Sequence, residues 1–300
     1  MQTARGLRRS FLEMPSHPQE LVTPDRLRLY LEESTPDAPP PDGGTVVITH
    51  GLGEHSGRYP HVVAALREAG FTVITHDLRG HGRSGGRRGD APRFAAFLDD
   101  LDLILRQLRP PAPVFLYGHS LGGLIALRYL QTRPAAIAGA VVASPWIRLA
   151  FTPPWWKLAL GQVARIVFPR LRQFTGMNEG RLSRDPAFLA TLPDLHLSHH
   201  HLSARLFFDI LKACRAAQHD APLTLRPLFL LHGQADPVTS WHATRELYEA
   251  CRSEAKLLRL YPEALHETHN DLDRVAVVAE IVAWLVRQRA AATTDRGGSC

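Results

Sequence analysis

The chain has 300 residues, 45% hydrophobic and 21% charged, enough to bury a large core and unlike a disordered polymer. Its formal net charge is +6, but the arginines are scattered (Arg5, Arg8, Arg9; Arg87, Arg88; Arg170, Arg172) without an aromatic-interleaved stripe. That pattern argues against nucleic-acid binding and favours contact with anionic lipid surfaces. Cys214, Cys251 and Cys300 are odd in number and far apart, so neither a disulfide framework nor a metal site is expected, and a reducing, cytoplasmic setting is.

Residues 1–20 carry basic positions, but Pro15 and Pro18 break a short apolar stretch, so no signal peptide is expected. No run of 18 apolar residues predicts a membrane span. "LRLYLEE" (27–33) reads as a strand, 35–44 as a turn-rich loop and "TVVITH" (45–50) as a continuous apolar strand. "YPHVVAALREAG" is a helix closed by Gly70, and "FTVITHD" the next strand. The alternation continues with helix 93–108, strand "PVFLYG", helix 121–132 and strand "AGAVVAS". It resumes with strand "PLFLLHG" (227–233), helix 241–252, strand "KLLRLY" (256–261) and helix 272–290. Such alternation predicts an α/β fold over residues 20–290, a mostly parallel sheet covered by helices on both faces. Residues 146–222 break the rhythm with Trp146, Trp155, Trp156, the Pro153-Pro154 pair and helical-looking segments. They read as an inserted helical cap, and residues 291–300 as a disordered tail.

Within "FLYGHSLGGLIALRYL" (115–130), Ser120 stands where a strand must become a helix. That is the context in which G-x-S-x-G forms a nucleophile elbow, with Gly118 and Gly122 removing side chains where backbones converge. The first helical N–H groups, beginning at Leu121, would face an incoming oxyanion. A serine hydroxyl needs a base, and the base an orienting acid. "LLHGQADPVTS" delivers Asp236 after one late strand, and "LRLYPEALHETH" delivers His266 after the next, with His269 as competitor. Ser120, Asp236 and His266 thus fall in the order this architecture uses, each at the carboxyl end of a strand.

These residues, together with "HGLGEHSGRY" (50–59), "HDLRGHGRSGG" (76–86), "GHSLGG" (118–123), "HGQADPV" (232–238) and "LHE" (265–267), resemble the monoacylglycerol lipase and bacterial lysophospholipase branch of the α/β-hydrolase superfamily. "LSRDP" (182–186) and "HHHLSARL" (199–206) in the cap resemble it too, and coverage runs from about residue 20 to 288. The resemblance implies an α/β-hydrolase fold, an oxyanion donor at the Leu52 N–H beside that of Leu121, and no cofactor. The chain departs from the pattern at Glu263, where relatives often carry glycine. Glu54, His55 and Arg58 read as a polar network pinning their loop; Asp77, His81 and Ser84 read as fixing a tight turn. His199, His200 and His201 are adjacent, so a helix would fan them apart and no metal is expected.

The cap stretch 151–174 is mainly apolar, with paired tryptophans and Lys157, Arg165, Arg170 and Arg172. It suits an apolar roof over an acyl chain and, in the sharper form, a peripheral membrane contact. The reading is a serine hydrolase of carboxylic esters of single-chain lipids, monoacylglycerol or lysophospholipid, working through an acyl-enzyme. A prolyl-type serine aminopeptidase or a general carboxylesterase is the enzymatic alternative. The former needs an acidic pocket, and the cap's acids are few (Glu179, Asp185, Asp194, Asp209). The non-enzyme alternative is a silent binding protein on the same scaffold, which would be expected to lose one of the three residues.

Overall fold

The computed structural model describes residues 16–38, 40, 43–133, 137–176, 179–190 and 196–297. Strands β1 (Ser16–Val22), β2 (Arg28–Ser34), β3 (Thr45–Thr49), β4 (Thr72–His76), β5 (Val114–His119), β6 (Ile137–Ala143), β9 (Leu228–Gly233) and β10 (Lys256–Tyr261) build the main sheet. Their order is β1-β2-β4-β3-β5-β6-β9-β10. The β1–β2 and β2–β4 pairings are antiparallel and the rest parallel. Every residue of β3, β4 and β5 is buried, as continuous apolar strands covered on both faces must be.

The alternation of side chains along each strand divides the core in two. Val47 and Leu116 face a layer formed by α2 (Ala95–Leu108), α3 (Leu121–Thr132), α6 (Ala204–His219) and α7 (Trp241–Ala250). Val46, Ile48, Phe115 and Tyr117 face α1 (Pro60–Glu68) and α8 (Arg274–Gly297). The α/β layering expected from the sequence is therefore the one observed, with each parallel strand delivering its following loop to the same sheet edge.

Four expectations change. β1 escaped the sequence reading because "SHPQELV" is polar and holds Pro18; it is tolerated at an edge, where one side of the strand needs no partner. The tail from residue 291 continues α8 to Gly297. Its alanines favour helix, and the Thr293 and Thr294 hydroxyls donate back to the carbonyls of Arg289 and Ala290; residues 298–300 lie outside the described residues. The interval 146–222 does hold α4 (Trp155–Val167), the short α5 (Pro186–Ala190) and an antiparallel ribbon of β7 (Arg172–Phe174) and β8 (His201–Ser203). Its last helix, α6, is part of the sheet-covering layer instead: Leu206, Ile210, Ala213, Cys214 and Ala217 are buried in the same cluster as Leu124. The histidine run is extended and leads into β8, so it lies on no helix.

Candidate active site

The turn from β5 into α3 forces Ser120 to φ 54°, ψ −114°, strain on the order of 1–3 kcal/mol that only a well-determined surround can hold. Its N–H donates to the Ala143 carbonyl at 3.0 Å, and its own carbonyl accepts from Trp146 N–H at 3.0 Å. Glycine is required on either side. A Cβ on Gly118 would lie 2.3 Å from the Gly122 carbonyl oxygen, and one on Gly122 would lie 2.0 Å from that of Thr49. The helix, its own strand and the neighbouring β3 thus meet at backbone distance. Ser120 lines a cavity of about 290 Å³ between the sheet edge and the cap.

His266 lines the same cavity, on the loop between β10 and α8. Its Nδ1 lies 2.7 Å from Asp236 Oδ2. Asp236 sits in the turn after β9. Its Oδ1 accepts from the N–H groups of Val238 (2.7 Å) and Thr239 (3.1 Å). Its Oδ2 accepts from Thr239 Oγ1 (2.8 Å) and contacts His232 Nε2 at 3.0 Å. Burial opposes ionisation, but the attraction of His266 and the hydrogen bonds from His232 and His266 outweigh it, holding Asp236 well below the usual carboxylate range. A carboxylate there makes Nδ1 of His266 the donor and leaves Nε2 as the basic nitrogen.

His232, which the sequence reading left unassigned, is a direct neighbour of Asp236. Burial keeps it on the neutral side of its ordinary range. With Nε2–H donating to Asp236, its Nδ1 accepts from the Thr244 hydroxyl at 2.7 Å. The available signal was its position four residues before Asp236 at the end of an apolar strand.

The competing histidine is elsewhere. His269 is fully buried, stacked on Tyr59 with ring centroids 5.0 Å apart and edge-on to Tyr117. Burial drives it well below the ordinary imidazole range. Leu52 lines the cavity on the loop after β3. Leu121 opens α3, where an N–H has no acceptor four residues back.

The loop carrying Leu52 is tied from behind. Glu54 accepts from Tyr59 Oη at 2.9 Å and contacts His119 Nδ1 at 2.9 Å. Burial disfavours charge on both partners, yet each is the other's counter-ion, so Glu54 is held well below its usual range and His119 is raised. Arg58 Nη2 donates to Glu267 Oε1 at 2.6 Å, fastening this loop to the one that carries His266. Gly53, at φ 79°, lets the chain pass under the cap: His199 N–H donates to its carbonyl at 3.0 Å, and a Cβ would strike the His199 carbonyl. Asp77 accepts from the N–H groups of Ser56 and Arg83, Ser84 Oγ donates to the Asp77 carbonyl, and the His81 ring bonds the Arg79 carbonyl, which together close the turn after β4. Glu263 is paired with Arg184 at 3.0 Å.

The cavity roof is largely apolar, with Phe151, Leu158, Phe174, Phe207 and Phe208 among its lining residues, and is interrupted by Lys157, Gln173 and His200. Glu54 is the one carboxylate among the described lining residues. Trp155 and Trp156 do not line it: they are 80% and 49% exposed on the outer side of α4.

The sequence profile of the family described as "Serine aminopeptidase, S33" matches residues 40–273. Over 91% of its length the chain is 34% identical to an uncharacterized abhydrolase domain-containing protein of Dictyostelium discoideum, of which it spans 29%. It is 30% identical to the monoglyceride lipase of Homo sapiens, the match covering 91% of this chain and 92% of that one. Among solved structures, the monoacylglycerol lipase of Paleococcus ferrophilus superimposes with a TM-score of 0.77 at 32% identity, covering 92% of this chain and 100% of that one.

Proposed function

Because the chain belongs to the serine aminopeptidase S33 family, in the monoglyceride-lipase branch of the α/β-hydrolases, and is an ester hydrolase, we propose that it cleaves single-chain lipid esters through Ser120, His266 and Asp236. Ser120 Oγ attacks the ester carbonyl and passes its proton to His266 Nε2. Asp236 fixes the imidazole through Nδ1–H and stabilises the imidazolium that forms. The N–H groups of Leu52 and Leu121 receive the oxyanion, each such donor contributing about 3 kcal/mol to the transition state. His266 returns the proton to the leaving alcohol. Water, activated by the same imidazole, then releases the acyl group, and no cofactor takes part in the scheme.

The observation that carries this reading is the 2.7 Å His266–Asp236 bond at the wall of the cavity that also holds the strained Ser120. The apolar roof supports an acyl chain as the occupant. Glu54 is engaged by Tyr59 and His119, so among the described lining residues no carboxylate is free for the amino terminus of an aminopeptidase substrate. We place the enzyme in the cytoplasm with a peripheral lipid contact. The lipid contact is supported by α4, which exposes Trp155, Leu160, Val163 and Ile166, with Lys157 and Arg165 on the same helix. No helix of the described residues is long and apolar enough to cross a membrane.

The test is a fluorophosphonate probe with Ser120→Ala as control, followed by a panel of monoacylglycerol, lysophospholipid and prolyl amide. Labelling lost in the variant and turnover of the single-chain lipids are expected. Labelling that persists in folded Ser120→Ala would move the nucleophile elsewhere.

A further inference from the structure

The backbone on both sides of His266 is tied to the cap, once directly and once through a carboxylate of its own loop. On one side, Glu267 N–H donates to the Leu182 carbonyl at 2.8 Å. On the other, Leu265 N–H donates to Asp271 Oδ2 at 2.9 Å. The same carboxylate accepts from the Arg184 N–H at 2.8 Å and from Arg184 Nε at 3.0 Å. Between these two attachments, Ser183 Oγ donates to the Asn270 carbonyl at 2.8 Å. Of these three successive cap residues, Leu182 holds the N–H of the peptide that follows His266 directly, Arg184 reaches the N–H of Leu265 through a single carboxylate that is 1% exposed, and Ser183 holds the loop at Asn270. Arg184 completes the clasp from the rim, with Nη1 3.0 Å from Glu263 and Nη2 3.3 Å from Asp273.

Asp236 fixes only one end of the His266 ring. The other determinant of where Nε2 points is the backbone of its loop, which carries only a single 3-10 turn at Thr268–Asn270 and is held by hydrogen bonds, among them the contact of His119 Nε2 with the His266 carbonyl at 3.3 Å. We propose that Asp271 and Arg184 are positioning residues for His266, and that through them the cap sets the geometry of the base. The inference rests on the assignment of His266 as that base. Its consequence is that a displacement of residues 182–184, such as cap movement at a lipid interface, changes the chemical step and not only access to the cavity.

The experiment uses Asp271→Asn, Arg184→Gln and Arg184→Lys in the full chain, assayed on a short soluble ester. For the first two, kcat per folded molecule should fall about tenfold to 10²-fold with KM within about twofold, the scale of a base misplaced by about 1 Å. Arg184→Lys, which keeps the cation, should recover part of the loss. The far-downfield proton NMR resonance of the Nδ1–H shared by His266 and Asp236 should shift or broaden in Asp271→Asn and Arg184→Gln. If Asp271→Asn does not fold, Arg184→Gln carries the test, its side chain being 22% exposed. A lowered melting temperature with unchanged kcat and an unmoved resonance would overturn the proposal. Wild-type turnover in His266→Ala would instead overturn the assignment of the base, a separate failure.

Discussion

Replacing Asp236 with asparagine removes a charge without changing shape, and the structure shows what must follow. Oδ1 can keep its two backbone donors, Val238 and Thr239. The amide nitrogen would then stand where Oδ2 accepts from Thr239 Oγ1, His232 and His266. Three donors would face a donor. The cheapest relief is for both histidines to change tautomer: His266 then accepts at Nδ1 and carries its proton on Nε2, pointing a donor at Ser120. His232 would accept at Nε2 and donate from Nδ1 to Thr244, whose hydroxyl is 2.7 Å away. A base in the wrong tautomer cannot take the serine proton, so kcat should fall by about 10⁴-fold, as in the serine-protease precedent.

The same change has a stability arm. Hydrogen bonds to a charged group contribute about 1.5–3 kcal/mol each, and rearranged neutral bonds replace only part of this, so the variant should melt below wild type at neutral pH. The depressed carboxyl of Asp236 contributes stability that is present above the unfolded value, about pH 4, and lost as pH falls through the lower folded value. The variant lacks that contribution at every pH, so the gap in melting temperature should narrow on acidification. Steady-state turnover of a soluble ester and thermal melts between neutral and acid pH measure both arms. Turnover within tenfold of wild type would refute the reasoning and shift the acid's role to another carboxylate.

Other substitutions separate the remaining assignments. His266→Ala should lose activity to an extent comparable with Ser120→Ala, whereas His269→Ala, which empties a site between Tyr59 and Tyr117, should lower the melting temperature and keep turnover per folded molecule; the reverse pattern would exchange their roles. Gly122→Ala drives a Cβ to 2.0 Å from the Thr49 carbonyl oxygen, so it should cost at least about 3 kcal/mol, beyond ordinary overpacking, and a variant that melts like wild type would show that the elbow is not packed at backbone distance. Trp155→Ser with Trp156→Ser should weaken vesicle association and the hydrolysis of long-chain monoacylglycerol while sparing a short ester, because both rings lie outside the cavity. Equal loss on both substrates with a lower melting temperature would return the tryptophans to cap packing.

What could be read before the structure follows from the range of the forces involved. β3, β4 and β5 are buried on both faces, so the demand to be apolar at every position is written into consecutive residues. The elbow was legible for the same local reason, since Gly118, Ser120 and Gly122 meet within one turn. β1 was not, because an edge strand is held by ladder hydrogen bonds to β2, which any side chain permits. Nor was the place of α6: its apolar stripe shows that it packs against something, but whether that is the cap or the sheet is decided by residues far along the chain. The support of the site is the extreme case. His232 reads as one more strand residue until the fold folds Asp236 back onto it. Asp271 and Arg184 are 87 residues apart, and their polar side chains look like surface until the cap closes over the loop of His266. Chemistry that depends on one turn is visible in sequence; chemistry that depends on which loop lies under which cap is created by the tertiary fold.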